Sequence, residues 1–137
     1  MKKAFFSLLA VCILFFSAIN HADGFAGIDT IDVDAVVVAL NEGNASNLSR
    51  YFDNRVDIGL PKKSDNYSRI QAEMIIRDFF SNNVVRNFEL KYKSEKSGTN
   101  YCVGTLKTKS GDYRTTLFMK QKGDKQYLQD ISFQKIE

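Results

Sequence analysis

The stretch from Phe88 to Gln134, FELKYKSEKSGTNYCVGTLKTKSGDYRTTLFMKQKGDKQYLQDISFQ, decides the fold. Phe88, Leu90 and Tyr92 alternate with Glu89, Lys91 and Lys93, and Tyr101, Val103 and Thr105 alternate with Cys102, Gly104 and Leu106. Tyr113, Thr115, Leu117 and Met119 then stand opposite Arg114, Thr116, Phe118 and Lys120, and Tyr127, Ile131 and Phe133 opposite Asp130, Ser132 and Gln134. A period of two is that of strands with one face buried. The segments between, Ser97-Gly98-Thr99-Asn100, Ser110-Gly111-Asp112 and Gly123-Asp124, are short turn material. Together they predict a four-stranded antiparallel meander with Tyr92, Tyr101 and Tyr113 on its inner face and Leu106 and Phe118 on the lysine-bearing side.

Upstream the period is helical. Val33, Val36, Val37 and Leu40 share a face over Ile31 to Asn41, with Asp32 and Asp34 near the positive end of the helix dipole. Gly43 stops that helix, and Asn44 caps a second one predicted over Ala45 to Phe52. Val56 to Leu60 reads as a short strand ended by Pro61 and the polar run Lys62 to Asn66. Ser68 and Gln71 form a capping box ahead of the apolar stripe Ala72, Ile75, Ile76, Phe79 and Phe80. This helix ends near Asn82. A sheet with one apolar face needs a cover, and these helices are the cover available. The expected fold is α+β, with three N-terminal helices packed on a curved four- to five-stranded antiparallel sheet.

At the N-terminus, Met1-Lys2-Lys3 precedes an apolar run from Ala4 to Ile19 and a small polar stretch from Asn20 to Gly27. This is the layout of a cleaved signal peptide over residues 1–24, with the boundary between 22 and 27. Cleavage fits best after Gly24 or after Ala26. The run is shorter than the roughly 20 residues that span a bilayer, so no stable membrane insertion is expected after cleavage. Cys12 lies inside the apolar run behind a bulky Val11, unlike a lipoprotein cysteine, and leaves with the leader. Residues 25–137 are then one exported domain, periplasmic or secreted, which suits a chain of 137 residues.

Removing the leader empties the chemical inventory. His21 is the sole histidine, and Cys102 remains as the one cysteine, which has no partner for an intramolecular bridge. Triads that need histidine, the usual zinc ligand sets, phosphate loops and Cys-x-x-Cys motifs are absent from the sequence, and no cofactor or metal is expected. Asn-x-Ser sequons at Asn44, Asn47 and Asn66 arise by chance in a chain this rich in Asn and Ser.

The formal net charge of +3 hides an asymmetry, with six basic and nine acidic residues from Gly24 to Val85 but eleven basic and six acidic from Arg86 onward. Lys91, Lys93, Lys107, Lys109, Arg114, Lys120 and Lys122 fit the solvent side and edge of an antiparallel sheet. A basic face for a polyanionic partner of the cell envelope is the alternative. Nucleic acid is not expected as a partner, because no aromatic-rich nucleic-acid signature accompanies the lysines.

The order α-α-β-α-β-β-β-β resembles the nuclear-transport-factor-2-like fold, also called cystatin-like, a cone that includes ketosteroid isomerase, scytalone dehydratase and many non-catalytic binding modules. More closely, Leu40-Asn41-Glu42-Gly43-Asn44-Ala45 with Leu48 to Phe52, Tyr67 to Glu73 with Asp78-Phe79-Phe80, and Gly111-Asp112-Tyr113-Arg114 resemble a domain-of-unknown-function family of small secreted Bacteroidetes proteins. The resemblance implies the cone and export, and no reaction. The tyrosine rings either fill the cone, with their hydroxyls reaching water at its mouth, or line a pocket for a small apolar or aromatic ligand at Tyr51, Asp57, Phe80, Tyr92, Tyr101 and Tyr113; Phe118 and Leu106 on the outer face suit a homodimer contact.

The leading reading is a non-enzymatic exported binding or interaction module. The alternative is a small isomerase or lyase with Asp57 as base and Tyr51 and Tyr101 as hydroxyl donors, after the ketosteroid isomerase pattern of an Asp base and a Tyr/Asp oxyanion hole. Histidine-dependent dehydration of the scytalone type lacks its histidine. A cystatin-type inhibitor lacks its Gln-x-Val-x-Gly hairpin.

Overall fold

A computed structural model describes residues 28–137; the leader and its cleavage sites lie outside them. The elements are α1 (Ile28–Glu42), α2 (Ala45–Ser49), β1 (Phe52–Leu60), β2 (Lys63–Ser68), α3 (Arg69–Asn82), β3 (Val85–Lys96), β4 (Thr99–Thr108), β5 (Gly111–Lys122) and β6 (Lys125–Lys135). The strands form one sheet in the order β2-β1-β6-β5-β4-β3. Every pairing is antiparallel except β1 with β6.

The helices start and stop where their caps dictate. Gly43, at φ +63°, closes α1 with Gly43 N–H donating to Leu40 O (3.1 Å) and Asn44 N–H to Ala39 O (2.9 Å). This is a left-handed glycine cap. Asn44 Oδ1 accepts from Asn47 N–H (3.0 Å) to open α2. At α3 both arms of the Ser68/Gln71 capping box form. Val33, Val36, Ala39 and Leu40 of α1 and Ala72, Ile76, Phe79 and Phe80 of α3 are buried against the sheet's inner side chains Leu106, Leu117, Met119, Ile131 and Phe133.

The sheet has six strands where four or five were expected. The polar run Lys62 to Asn66 holds most of β2, whose side chains are exposed or half-buried along its whole length, so no alternation marks it. It is an edge strand, joined to β1 by the two-residue turn Pro61-Lys62, and edge strands are kept polar to discourage pairing with other chains. α2 is shorter than expected, because the chain leaves the helix after Ser49 and Phe52 enters the sheet opposite Leu128. Phe52 is fully buried there.

The inner face also differs from expectation on three strands. On β4 the buried set runs Asn100, Cys102, Gly104, Leu106 and Thr108, so Tyr101 points outward and Leu106 is core. Gly104 is the reason. A Cβ on it would stand 2.4 Å from Phe88 Cζ and 2.5 Å from the Glu89 carbonyl oxygen, so the Phe88 ring lies against bare backbone. On β3 the register slips between Leu90 and Tyr92, which turns Tyr92 outward after an inward Phe88. On β6, Leu128 opposes Met119 while Asp130 opposes Phe118, leaving Gln129 unopposed. This bulge moves the inward set from Gln126 and Leu128 to Ile131 and Phe133, and Tyr127 falls out of phase with them.

Candidate functional site

The six residues expected to line one pocket fall in three places. Tyr113 and Phe80 are in the interior. Tyr113 meets Phe79 edge-on at 5.2 Å, Phe79 stacks on Phe133 at 4.6 Å, and Phe80 meets Phe133 edge-on at 6.4 Å. The Tyr113 hydroxyl donates to Asn83 Oδ1 (2.9 Å). Rings therefore fill the space between α3 and this part of the sheet, and the Tyr113 hydroxyl is spent on the end of the helix. Tyr51 sits at the opposite end of α3, while Asp57, Tyr92 and Tyr101 lie on the outer face of the sheet.

On that outer face two adjacent rows of residues cross the sheet. One runs Tyr101, Phe118, Asp130, Asp57, Asn66, and the other Tyr92, Val103, Thr116, Ser132, Gly59, Ser64. The β3-β4-β5 half is aromatic: Tyr92 is 56% exposed, Tyr101 39% and Phe118 39%, and Tyr92 meets Tyr101 edge-on at 6.4 Å. The β6-β1-β2 half is a shallow groove of about 500 Å³ lined by carboxylates, hydroxyls and an amide, including Asp57, Asp65, Asn66, Asp130 and Ser132. Asn66 Nδ2 donates to Asp57 Oδ1 (2.8 Å). Burial, and then the charge of Asp57 across the strand pair, push the Asp130 carboxyl above the usual carboxylate range. The alternation of β6 puts Asp130 on the face opposite Ile131 and Phe133, and only the parallel pairing of β1 with β6 puts it beside Asp57.

Several of the lysines on this sheet are already engaged. Glu89 holds Lys91 (3.0 Å) and Lys107 (3.1 Å), and hydrogen bonds from those two ammonium groups lower its carboxyl. Lys122 reaches Asp53 (2.6 Å), which also accepts from Gln129 Nε2 (3.0 Å) and Asn54 N–H (2.7 Å). Burial alone raises Asp53, but these hydrogen bonds, led by Lys122, outweigh it and leave its carboxyl lowered.

A third place joins Tyr51 to residues that sequence reasoning did not nominate. Asp32, Arg50, Tyr51, Arg69, Lys125, Gln126 and Tyr127 line a cleft of about 390 Å³ at the starts of β1, α3 and β6. Asp32 Oδ2 accepts from the Gln126 backbone N–H (2.8 Å). Behind it, Asn100 Nδ2 donates to Gln126 Oε1 (3.2 Å), and both side chains are almost wholly buried. The available signal was Gln126 itself, a polar residue two positions before Leu128 on an otherwise apolar strand face.

Among the described residues no three His, Cys, Asp or Glu side chains gather closely enough to hold a metal ion, and no helix is long and apolar enough to cross a membrane. Cys102 is buried in the core, and burial raises its thiol above the ordinary range, which disfavours the reactive thiolate.

Solved structures share this architecture. A DUF4783 family protein from Bacteroides fragilis is 29% identical with a TM-score of 0.71, covering 74% of this chain and 96% of its own. One from Bacteroides uniformis is 27% identical with a TM-score of 0.73, covering 76% and 96%. An NTF2-like protein of unknown function from Cytophaga hutchinsonii, 7% identical with a TM-score of 0.55 over 76% of this chain and 86% of its own, shares the fold. No functionally curated protein matches. The family model for DUF4783, a domain of unknown function, matches residues 33–134, and with the NTF2-like cone and the Bacteroides structures it shows that this chain belongs to the DUF4783 family.

Proposed function

We propose that the protein is an exported, non-catalytic binding module that acts through the outer face of its sheet, and that the occupant of that face is a second copy of the same chain. The observation that carries this reading is the exposed aromatic patch of Tyr92, Tyr101 and Phe118 beside the acidic groove at Asp57 and Asp130. Exposed contiguous apolar surface on a sheet marks an interaction site. The two halves are also complementary. A two-fold axis between the central strands β5 and β6 lays the acidic β1-β6 half of one copy over the aromatic half of the other, which Arg114 and Lys120 border.

Native mass spectrometry and light scattering of the purified protein test this. The expected species is a dimer that Phe118→Asp converts to monomer, because the new carboxylate opposes the partner's acidic groove. A wild-type protein that stays monomeric at about 100 µM, well above a micromolar dissociation constant, overturns it. Export is tested separately: protein recovered from its host is expected to begin at Phe25 or Gly27.

The raised carboxyl of Asp130 beside Asp57 favours a second reading, an acid-base enzyme of isomerase or lyase type. Tyr101 stands three strand spacings, roughly 14 Å, from Asp57 along its row. The enzyme reading therefore rests on the two carboxyls and the groove's hydroxyls. Loss of a measured turnover in both Asp57→Asn and Asp130→Asn, with dimerisation intact, would favour it over the first.

A further inference from the structure

We propose that the cleft between the end of α2, the start of α3 and the start of β6 binds a small dianionic oxyanion, a phosphate group free or on a monoester. Its cations come from three separate elements: Arg50 follows α2, Arg69 opens α3 and Lys125 opens β6. Their convergence is a product of the tertiary fold, since nothing in the sequence runs them together.

What points to a ligand is the gathering of unpaired cations around one cleft. Arg50, Arg69 and Lys125 form no ion pair among the described residues, as is true of most surface cations of this chain, but these three line a single cleft. Arg69 spends one N–H on Asn54 Oδ1 at 3.4 Å. The only carboxylate in the cleft is Asp32, and one of its oxygens is committed to the Gln126 backbone. Three cations against one carboxylate leave an excess of two positive charges, the complement of a dianion. Two guanidinium groups supply the planar donor forks that match phosphate oxygens.

Gln126 backs the cleft. It lines the cleft at 1% exposure, and its Nε2 has no hydrogen-bond partner, nor has Oδ1 of its neighbour Asn100. The free donor of Gln126 and the free acceptor of Asn100 sit on neighbouring side chains, closed off from solvent, so this amide pair forms the floor of the cleft and the three cations form its open side. The cleft's volume of about 390 Å³ lies in the small-ligand range of roughly 300–1,000 Å³.

Amide NMR titrations of the purified protein at fixed ionic strength, with inorganic phosphate, phenyl phosphate and acetate, test the proposal. Phosphate and phenyl phosphate are expected to produce saturable shifts centred on Arg50, Arg69 and Lys125 to Tyr127, and acetate none. Tighter binding of phenyl phosphate identifies a monoester as the ligand class, and equal binding identifies the free ion. The double variant Arg50→Gln/Arg69→Gln is expected to weaken binding at least about tenfold. Lys125→Gln, an exposed side chain in a hairpin, is expected to weaken it several-fold and keeps the test open if the double variant does not fold. Lys91→Gln/Lys107→Gln on the outer sheet face is expected to leave affinity unchanged. Shifts that never saturate and spread over Lys91, Lys107 and Lys120, or an affinity unmoved by Lys125→Gln, overturn the proposal.

Discussion

The two faces of the sheet use the same residue types to opposite ends. On the inner face Phe88, Phe133 and Tyr113 are buried under helices or against bare backbone; on the outer face Tyr92, Tyr101 and Phe118 keep a third or more of their surface in solvent. Ring count does not separate them. What separates them is whether an element covers the ring, and only the inner face has α1 and α3 above it. Aromatic residues on a strand therefore report a surface to be covered, by the chain's own helices or by something else.

That contrast is broken most sharply by paired truncations. Phe133→Ala is expected to cost about 3–5 kcal/mol, because it removes the ring on which Phe79 stacks and leaves a cavity beneath α3. Phe118→Ala on the outer face is expected to stay within about 0.5 kcal/mol under monomeric conditions. Urea denaturation of both at low concentration measures the difference. Equal costs would mean that the outer patch is supported within one copy, and the interaction surface would be lost with it.

The next largest effect sharpens the phase of β4. Gly104→Ala is expected to destabilise by about 1–3 kcal/mol, since the new methyl meets the Glu89 carbonyl as well as the Phe88 ring. The ring can rotate away but the backbone oxygen cannot. Phe88→Leu in the same chain is expected to recover only part of the loss. A neutral Gly104→Ala would place β4 in the opposite phase, with Tyr101 inward.

That phase is also where sequence reasoning stopped. Ser68/Gln71, Gly43 and the four alternating segments were legible because each carries its own signal: a cap, a left-handed glycine or a strict period. β2 was not, because an edge strand has no buried side to alternate with. The orientation of β4 was not, because Gly104 looks like an interruption until Phe88 is seen to pack on it. The extra residue Gln129 cannot be read from periodicity, since a bulge is visible only against the partner strand. Of the candidate sites, Asp57 and Tyr51 were legible as residue types. Their true neighbours, Asp130 and the Arg50/Arg69/Lys125 set, depend on pairings that no local pattern announces.

A smaller effect distinguishes two carboxylates of the sheet whose environments differ. Asp53 and Asp130 sit on β1 and β6, and their environments act in opposite directions. The folded state holds Asp53 below its unfolded value of 3.8, so its hydrogen bonds stabilise above that pH and are lost as pH falls through the lower folded value. Asp130 is held above 3.8 by burial and Asp57. The folded state thus favours its protonated form, and stability is full below 3.8 and declines as pH rises through the folded value. Asp53→Asn is therefore expected to destabilise at pH 7 by an amount that vanishes in acid. Asp130→Asn is expected to stabilise slightly at pH 7, with no difference from wild type below 3.8. Urea midpoints from pH 3 to 8 check both signs. If Asp130→Asn were instead destabilising at neutral pH, the charge at this position would have a partner. The acidic groove would then be a structural seam rather than a face kept open for a second molecule.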